Sequence, residues 1–306
     1  MVDCAIQIEN ESCLNACIFC KPDGFKKSDK KNISEVAVSI YKQALNLRKH
    51  GFTDVELSGH DPLQFEKIVG FIVWLRKIGF KKITLATHGR NLCDAILTKK
   101  LNDAGLNFIS IPLYGSNSKI HDAITQSSGS FNETIKGITN IKRYASSIQI
   151  TLHTLIMNEN ITDLNKIIKL FSTFTPSYVQ IRMPYISNSL FEKYSAISLS
   201  KLQQNVTKLF KLCEEVFGNR FSFGEIPYCI FGFYDSRIIH FSVPIMANNY
   251  SVPKKYQTNL HGIPKYRLKK KIKICKICKY NIQCEGFLND YIEHFNLEYD
   301  CKLKPL

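Results

Sequence analysis

The sequence Cys13-Leu14-Asn15-Ala16-Cys17-Ile18-Phe19-Cys20 places three cysteines in the spacing Cys-x3-Cys-x2-Cys, with no fourth cysteine close by. Iron–sulfur clusters are ordinarily held by four cysteine thiolates. A local set of three can hold three corners of a cubane cluster, which leaves one iron open to bind another molecule. The spacing therefore predicts a cluster built for chemistry, with Cys13, Cys17 and Cys20 as its ligands.

Zinc and disulfide bonds are the alternatives for this cysteine set. Zinc sites take four ligands and commonly use two separated cysteine pairs, and no second pair closes around residues 13–20. The total of 11 cysteines is odd, and residues 1–6 have neither the basic nor the apolar region of a signal peptide. Because disulfides belong to oxidising compartments, a disulfide framework is disfavoured. Zinc stays the open alternative.

The composition indicates a soluble cytoplasmic enzyme with one large domain and an appendage, or about two domains. The longest apolar run in the 306 residues, residues 68–75, is too short to cross a bilayer, so no membrane partner is expected. Lys and Arg outnumber Asp and Glu by 41 to 26, which gives a net charge of +15. This balance is compatible with an anionic partner, although the lysines are spread along the whole chain.

Strand and helix patterns alternate over most of the chain. The patterns predict strands at residues 4–8, 55–58, 83–87, 108–113, 148–157 and 178–183. They predict helices at residues 34–50, 64–78, 92–104, 130–144, 163–174 and 200–216. Six strand–helix pairs in this order favour a parallel sheet and are fewer than the eight of a closed barrel. The cysteine loop follows the first strand, at the edge where parallel α/β folds concentrate their chemistry.

The cysteine spacing and the aromatic Phe19 before the last cysteine resemble the signature of the radical SAM superfamily, Cys-x3-Cys-x-aromatic-Cys. The resemblance implies an α/β fold, the partial (βα)6 TIM-like barrel, which agrees with the six strand–helix pairs. It also implies a 4Fe–4S cluster that binds S-adenosylmethionine (SAM) through its open iron. Reductive cleavage of SAM would give a 5′-deoxyadenosyl radical, which removes a hydrogen atom from the substrate. The protein would position the substrate and exclude solvent.

The loop after the second strand holds the first candidate SAM contacts. Residues 58–62, Ser-Gly-His-Asp-Pro, stand where the family usually has Gly-Gly-Glu-Pro. The resemblance therefore implies Gly59 and Asp61 as contacts to the amino group of SAM, although Asp61 can instead cap the following helix. After the third strand, His88 replaces an Asn of the family and could face the cofactor or the substrate.

Two later strands each hold one further candidate. Ser110, on the fourth strand, is a candidate partner of the SAM ribose or carboxylate. Arg182 is a charge in an otherwise apolar sixth strand. A buried charge needs a partner, and the SAM carboxylate and a structural salt bridge are the two candidates.

A second cysteine group occupies the C-terminal part of the chain. Cys275-x2-Cys278-x5-Cys284, together with Cys229 upstream, resembles the auxiliary-cluster modules of radical SAM enzymes that are called SPASM or, in their shorter form, Twitch domains. The resemblance implies a radical SAM core at residues 1–218 and a small cysteine-rich iron–sulfur module at 219–306. These four cysteines would hold an auxiliary 4Fe–4S cluster, with Cys301 as a substitute ligand. A four-cysteine zinc site is the alternative.

The sequence indicates the substrate less clearly than it indicates the type of reaction. Enzymes with such modules often modify ribosomally made peptides, so a peptide is the leading expectation. Because only twelve residues precede Cys13, a separate protein would bind a leader peptide.

The basic residues 265–279 could meet an acidic peptide or a phosphate backbone. A nucleotide, RNA or small metabolite is therefore the alternative substrate, although a nucleic-acid partner is not favoured. A reductase, flavodoxin or ferredoxin would supply electrons. The remaining class is a non-catalytic Fe–S electron carrier or zinc-binding adaptor.

Overall fold

The computed structural model describes residues 4–8, 13–20, 33–185, 195–239, 245–246, 269–297 and 304–306. The strands in these ranges are β1 (Cys4–Ile8), β2 (Asp54–Gly59), β3 (Lys82–Ala86), β4 (Phe108–Pro112), β5 (Gln149–Leu155), β6 (Tyr178–Arg182), β7 (Phe221–Gly224), β8 (Ile238–Ile239), β9 (Ile245–Met246), β10 (Lys269–Lys270) and β11 (Phe287–Leu288). The helices are α1 (Ile33–Lys49), α2 (Ile68–Lys77), α3 (Ala95–Asp103), α4 (Ser118–Thr125), α5 (Ser130–Tyr144), α6 (Leu164–Thr173), α7 (Leu199–Phe217), α8 (Tyr228–Phe231) and α9 (Asn289–Phe295).

Within the described ranges, one parallel sheet of nine strands forms the centre of the fold, in the order β8-β7-β6-β5-β4-β3-β2-β1-β9. Strands that follow one another in sequence from β1 to β8 are also neighbours in the sheet. Parallel neighbours need a crossover connection, and the connections from β1 to β7 contain helices α1 to α7. This arrangement confirms the expected α/β class and its strand–helix alternation.

The two faces of the sheet differ in polarity. Parallel register aligns Ile6 with Leu57, Leu57 with Leu85, and Leu85 with Ile109, and all four are buried in the common apolar core. That core includes side chains from most of the helices, among them Leu47, Phe71, Ile141, Phe171 and Phe210. Each large apolar side chain buried in this way contributes about 1.5–3 kcal/mol.

The opposite face of the sheet is polar. Register aligns Gln7 with Ser58 and His153 with Gln180, and these side chains are only half-buried. Parallel sheets are ordinarily covered on both faces and read as apolar runs. A polar, half-buried face is what an inner surface that receives a ligand requires. We call this surface, which also includes Glu56, Ser110 and Arg182, the inner face.

Several elements differ from the sequence prediction for local reasons. Helix α4 is absent from the predicted helices. Its last turn is followed by Gln126 in a left-handed conformation (φ 53°), a position where a glycine would have signalled a helix end. Helix α2 begins at Ile68 instead of residue 64, because Pro62–Gln64 forms a 3-10 turn. Strands β7 and β8 extend the sheet past the predicted boundary at residue 218, which itself stays a prediction.

The C-terminal residues form a small separate sheet. Strands β10 and β11 pair antiparallel, with Lys269 opposite Leu288 and Lys270 opposite Phe287. Phe287, Leu288 and Tyr291 are fully buried and belong to the same apolar core as the large sheet. Among the described helices, none is long and apolar enough to cross a membrane.

Gly137, in the middle of α5, sets how closely that helix approaches the turn after β3. A Cβ atom at Gly137 would lie 2.4 Å from the carbonyl oxygen of Gly89 and 3.0 Å from Cβ of Leu92. Such a contact with backbone cannot be relieved by a side-chain rotation. The close approach places α5 directly against the 3-10 turn Arg90–Cys93.

We expect Gly137→Ala to lower the free energy of unfolding by about 1–3 kcal/mol, the usual cost of overpacking, although alanine is the better helix former. Gly70→Ala is the matched control, because Gly70 lies in α2 with no atom within 4 Å of an added Cβ. That control should raise stability by about 0.5–1 kcal/mol. Urea denaturation of both variants measures the difference, and equal effects at the two sites would contradict the packing interpretation.

Candidate active site and auxiliary cysteine site

The loop that carries Cys13, Cys17 and Cys20 is fixed to the end of α4 by backbone hydrogen bonds. The N–H groups of Ala16 and Ile18 donate to the carbonyl oxygens of Thr125 (2.9 Å) and Ile124 (3.0 Å). The Cys20 N–H donates to the Cys17 carbonyl at 2.9 Å, which forms a tight turn. The loop therefore has a defined backbone position.

The three thiols lie near enough to interact electrostatically. Burial raises the pKa of the Cys17 thiol well above its usual value, and the nearby Cys20 and Cys13 raise it further. Burial and the same three cysteines also raise the pKa of Tyr114, which follows β4. Phe19 packs edge-to-face on Tyr114, with ring centroids 5.0 Å apart. Three half-buried sulfur donors beside an aromatic wall fit an iron–sulfur cluster.

Arg90 ties the cysteine loop to its surroundings. Its Nη1 donates to the carbonyl oxygen of Leu14 (2.7 Å), to Oδ1 of Asn15 (2.8 Å) and to Oγ of Ser127 (2.8 Å). Its Nε donates to Oε2 of Glu133 in α5 at 2.5 Å. One guanidinium thus joins the cysteine loop, the segment before α5 and α5 itself.

Asp61 is buried, with 1% exposure, and its carboxylate already has several contacts. Oδ1 accepts from the Leu63 N–H (3.0 Å) and from the Thr87 hydroxyl (2.8 Å). Oδ2 lies 2.6 Å from Nε2 of His88. The helix-capping alternative for Asp61 therefore describes its geometry, at the 3-10 turn Pro62–Gln64. Its contact to SAM stays a prediction.

His88 links Asp61 to the first cysteine. Burial acts to lower the pKa of His88, but hydrogen bonds with Asp61 and Cys13 outweigh it and raise the pKa to about 9. His88 Nδ1 lies 3.2 Å from the backbone nitrogen of Arg90 and accepts from it when the ring is neutral. In the neutral and the protonated ring alike, Nε2 carries a proton toward Oδ2 of Asp61. His88 therefore lies beside Cys13, and its contact with the cofactor or the substrate stays a prediction.

The other predicted SAM contacts lie at or near the inner face. Gly59 ends β2 with φ 131°, and a Cβ there would lie 2.2 Å from the Ile8 carbonyl oxygen, so only glycine fits. Ser110 Oγ lies 3.1 Å from Nδ1 of His153. Burial, together with the positive charge of Arg182, lowers the pKa of His153 to about 3, so His153 is neutral.

Arg182 faces a second titratable group across the inner face. Burial raises the pKa of Glu56, while the positive charge of Arg182 acts to lower it. The charge of Arg182 therefore acts on Glu56, and the choice between a salt bridge and the SAM carboxylate as the partner of Arg182 stays a prediction. The structure brings Arg182, His153 and Ser110 together on the inner face, and it places Cys13, His88 and Asp61 together at the strand ends.

The four C-terminal cysteines also converge. Burial raises the pKa of Cys229, and with the added effect of Cys284, Cys275 and Cys278 that pKa reaches about 12. The set lines one pocket, whose other walls are Pro227, Tyr228, Ile274, Asn281, Phe287, Lys304 and Pro305. Cys301 lies outside the described residues. Across the described part of the chain, no three His, Cys, Asp or Glu side chains are grouped so as to hold a single metal ion.

A comparison with known families decides the assignment. Over residues 10–171, more than half of the chain, the sequence matches the family described as the Radical SAM superfamily. The chain belongs to the radical SAM superfamily. This family uses a 4Fe–4S cluster and SAM, and the matched region contains the whole first cysteine set.

Curated relatives are similar in sequence to part of this chain. The GTP 3′,8-cyclase of Peptoclostridium acidaminophilum is 26% identical over 226 residues, which cover 71% of this chain and 67% of the relative. The probable GTP 3′,8-cyclase of Methanothermobacter marburgensis is 34% identical over 99 residues, or 32% of this chain and 31% of the relative. That of Methanocaldococcus jannaschii is 28% identical over 54% of this chain and 53% of its own length. The chain thus spans about a third to a half of the latter two.

Solved radical SAM structures share the fold. Native anSMEcpe with bound AdoMet and Cp18Cys peptide has a TM-score of 0.65 at 16% identity and covers 97% of this chain and 95% of its own. Streptococcus suis SuiB bound to precursor peptide SuiA has a TM-score of 0.55 at 12% identity over 73% of this chain and 49% of its own. These neighbours confirm the TIM-like fold class.

Sequence reasoning missed Arg90, His153 and Glu56. Each takes its role from contacts with residues far away in sequence, such as Leu14 for Arg90. A polar residue inside a strand was the one available signal for Glu56 and His153, as it was for Arg182.

We expect Arg90→Met to loosen residues 13–20, because charge-assisted hydrogen bonds contribute about 1.5–3 kcal/mol each. Amide exchange of Ala16 and Ile18 should then accelerate by about tenfold or more. Hydrogen–deuterium exchange of the intact chain measures this, with Arg143→Met, an exposed arginine of α5, as the control. Unchanged exchange in the Arg90 variant would show that the guanidinium does not hold the loop.

Proposed function

We propose that this protein is an enzyme that reductively cleaves SAM to a 5′-deoxyadenosyl radical and abstracts a hydrogen atom from its substrate. The observation that carries the proposal is the convergence of Cys13, Cys17 and Cys20 after β1, within the region that matches the radical SAM superfamily. We assign these three thiolates as the cluster ligands. A cytoplasmic location, expected from the sequence, belongs to the same proposal.

The chain's own residues would prepare this site for the chemistry. When bound, the cluster and SAM supply the radical. Arg90 holds the cysteine loop in place through Leu14 and Asn15. His88 holds a proton at Nε2 and shares it with Asp61 at 2.6 Å. Tyr114 and Phe19 pack together beside the cysteines and keep water from that side.

The proposed SAM contacts follow from the positions of four residues. Gly59 offers backbone groups at the end of β2, where no side chain fits. Asp61 carries a negative charge for the methionyl amine, and its contacts to Thr87 and His88 fix its orientation. Ser110 and Arg182 offer a hydroxyl and a guanidinium from the inner face, suited to a ribose or a carboxylate.

We assign Cys229, Cys275, Cys278 and Cys284 as ligands of an auxiliary 4Fe–4S cluster in a SPASM- or Twitch-like module. Their mutual effect on the pKa of Cys229 and their common pocket support this. Zinc is the alternative occupant of four thiolates. The auxiliary cluster would accept an electron from the substrate radical or help to bind the substrate.

A ribosomally made peptide is the substrate class we favour. The support is the likeness over nearly the whole length of both chains to anSMEcpe, whose structure holds a Cp18Cys peptide, and the likeness to SuiB bound to precursor peptide SuiA. The exposed lysines of residues 270–279 would attract an acidic peptide. A leader-binding protein and a reductase, flavodoxin or ferredoxin as electron donor would be its partners.

A nucleotide is the second candidate substrate. The curated relatives are named GTP 3′,8-cyclases, and their similarity supports chemistry on a nucleoside triphosphate. The polar inner face, with Arg182 and His153, offers hydrogen-bonding groups that such a substrate would need.

Anaerobic reconstitution tests the reaction. We expect roughly eight irons and eight sulfides per chain, as two 4Fe–4S clusters, and 5′-deoxyadenosine on addition of SAM and dithionite. Cys275→Ala/Cys278→Ala should keep roughly four irons, and Cys13→Ala/Cys17→Ala/Cys20→Ala should form no 5′-deoxyadenosine. Cys93→Ala is the control, because Cys93 lies in neither cysteine set.

The outcomes separate the proposed classes. A reconstituted parent protein that forms no 5′-deoxyadenosine would refute the enzymatic proposal and favour the electron carrier. Roughly one zinc in place of the second cluster would reassign the four C-terminal cysteines to zinc. Iron that is unchanged in the Cys275→Ala/Cys278→Ala variant would refute the auxiliary ligand set.

Deuterium transfer tests the substrate class. We expect perdeuterated synthetic peptides with acidic N-terminal halves to raise 5′-deoxyadenosine formation by about tenfold, equal to about 1.4 kcal/mol of barrier. The 5′-deoxyadenosine should then carry deuterium by mass spectrometry. Perdeuterated GTP is tested in parallel. Deuterium transfer from GTP but not from the peptides would make a nucleotide, and not a peptide, the substrate class.

A further inference from the structure

Lys269 joins two carboxylates that belong to different parts of the fold. Its Nζ lies 2.6 Å from Oε2 of Glu225 and 2.6 Å from Oε2 of Glu285. The side chains of Lys269 and Glu225 are 9% and 0% exposed, whereas that of Glu285 is 55% exposed. Removal of one partner from a buried ion pair leaves an uncompensated charge and is strongly destabilising, whereas an exposed ion pair contributes little.

Each of the two glutamates adjoins a segment that carries auxiliary cysteines. Glu225 directly follows β7, and the chain continues through residues 226–228 to Cys229. Glu285 directly follows Cys284. Lys269 therefore connects the segment of Cys229, which comes from the large sheet, with the segment of Cys284, which comes from the small one.

Glu225 is a rigid anchor for this connection. Its N–H donates to the Ile239 carbonyl at 3.1 Å, and the Tyr185 hydroxyl donates to its Oε1 at 3.1 Å. Its backbone adopts φ 68°, a conformation that costs about 1 kcal/mol or more in a residue other than glycine. The surrounding sheet therefore holds Glu225 in this one conformation.

Gly286 shows how closely the other segment is held. Its φ is 90°, and a Cβ there would lie 2.3 Å from the carbonyl oxygen of Lys270. Lys270 pairs with Phe287 in the β10–β11 ladder. The backbone around residue 285 therefore packs directly against β10, and neither can slide past the other.

We infer that Lys269 is a positioning residue for the auxiliary cysteine site, because it holds Cys229 and Cys284 in register through Glu225 and Glu285. This inference rests on the proposed auxiliary cluster. Lys269 touches no cysteine itself and acts through the two carboxylates. Groups that hydrogen-bond a metal ligand directly change metal affinity by about 10–100-fold when replaced, and Lys269, one contact further out, is expected at the low end of this range.

The test uses the full chain in a Cys13→Ala/Cys17→Ala/Cys20→Ala background, where the auxiliary site alone can hold a cluster. Lys269→Met and Glu285→Gln are compared with Lys269→Arg, which keeps the charge, and with Lys211→Met, which replaces an exposed lysine of α7. Iron and sulfide are counted after anaerobic reconstitution, a chelator titration gives retention, and electron paramagnetic resonance of the reduced cluster reports its geometry. Circular dichroism of each apo variant checks folding.

In the chelator titration, we expect the cluster of Lys269→Met to be bound about tenfold more weakly than that of the parent. Its resonance spectrum should also change. Glu285→Gln should show a smaller loss with no change in apo folding, since Glu285 is exposed. Lys269→Arg should restore retention, and Lys211→Met should match the parent.

Three results would overturn the inference or its premise. Parent-like retention and spectrum in both Lys269→Met and Glu285→Gln would overturn the positioning role. So would an equal loss of the first cluster when Lys269→Met is placed in the otherwise unaltered chain, since that marks general misfolding. A parent background that binds no iron would instead refute the auxiliary cluster itself, and the inference with it.

Discussion

The carboxyl ends of parallel strands must lie along one edge of their sheet, and the candidate active site depends on this constraint. Cys13, Asp61, His88 and Tyr114 follow four successive strands and meet there without being close in sequence. Side chains that are individually uninformative in the sequence thus form one site, because the sheet brings the ends of their strands together. The edge also explains why one histidine can contact both Asp61 on the β2 side and Cys13 on the β1 side.

The sheet separates stability from chemistry by its two faces. The apolar face joins the helices in one core and supplies the free energy of folding. The inner face carries charge and hydrogen-bonding groups that this core could not hold at low cost. Arg182 and Glu56 share that face, so each lowers the electrostatic cost of burying the other. Substitutions on the inner face should therefore affect ligands more than folding.

The class of fold and the cysteine sets could be predicted from the sequence, because both depend on local spacing. The strand–helix alternation needs neighbours within a few residues, and a cysteine triplet needs eight. Helix α4 was missed because its end has Gln126 in a conformation that usually signals glycine. Arg90 and Lys269 were missed for a different reason. Their partners lie up to 76 residues away, and nothing in the local pattern of either residue distinguishes it from the other 39 basic residues of the chain.

The pairing of Lys269 with Glu225 has a consequence for the order in which the protein assembles. Cys229 and Cys275 are separated by more than forty positions of chain, and closing such a loop has an entropic cost that must be offset before the thiols meet. Glu225 reaches its place only when β7 has joined the sheet. The four C-terminal thiols therefore meet only after the large sheet has formed, which places this cysteine site late in folding.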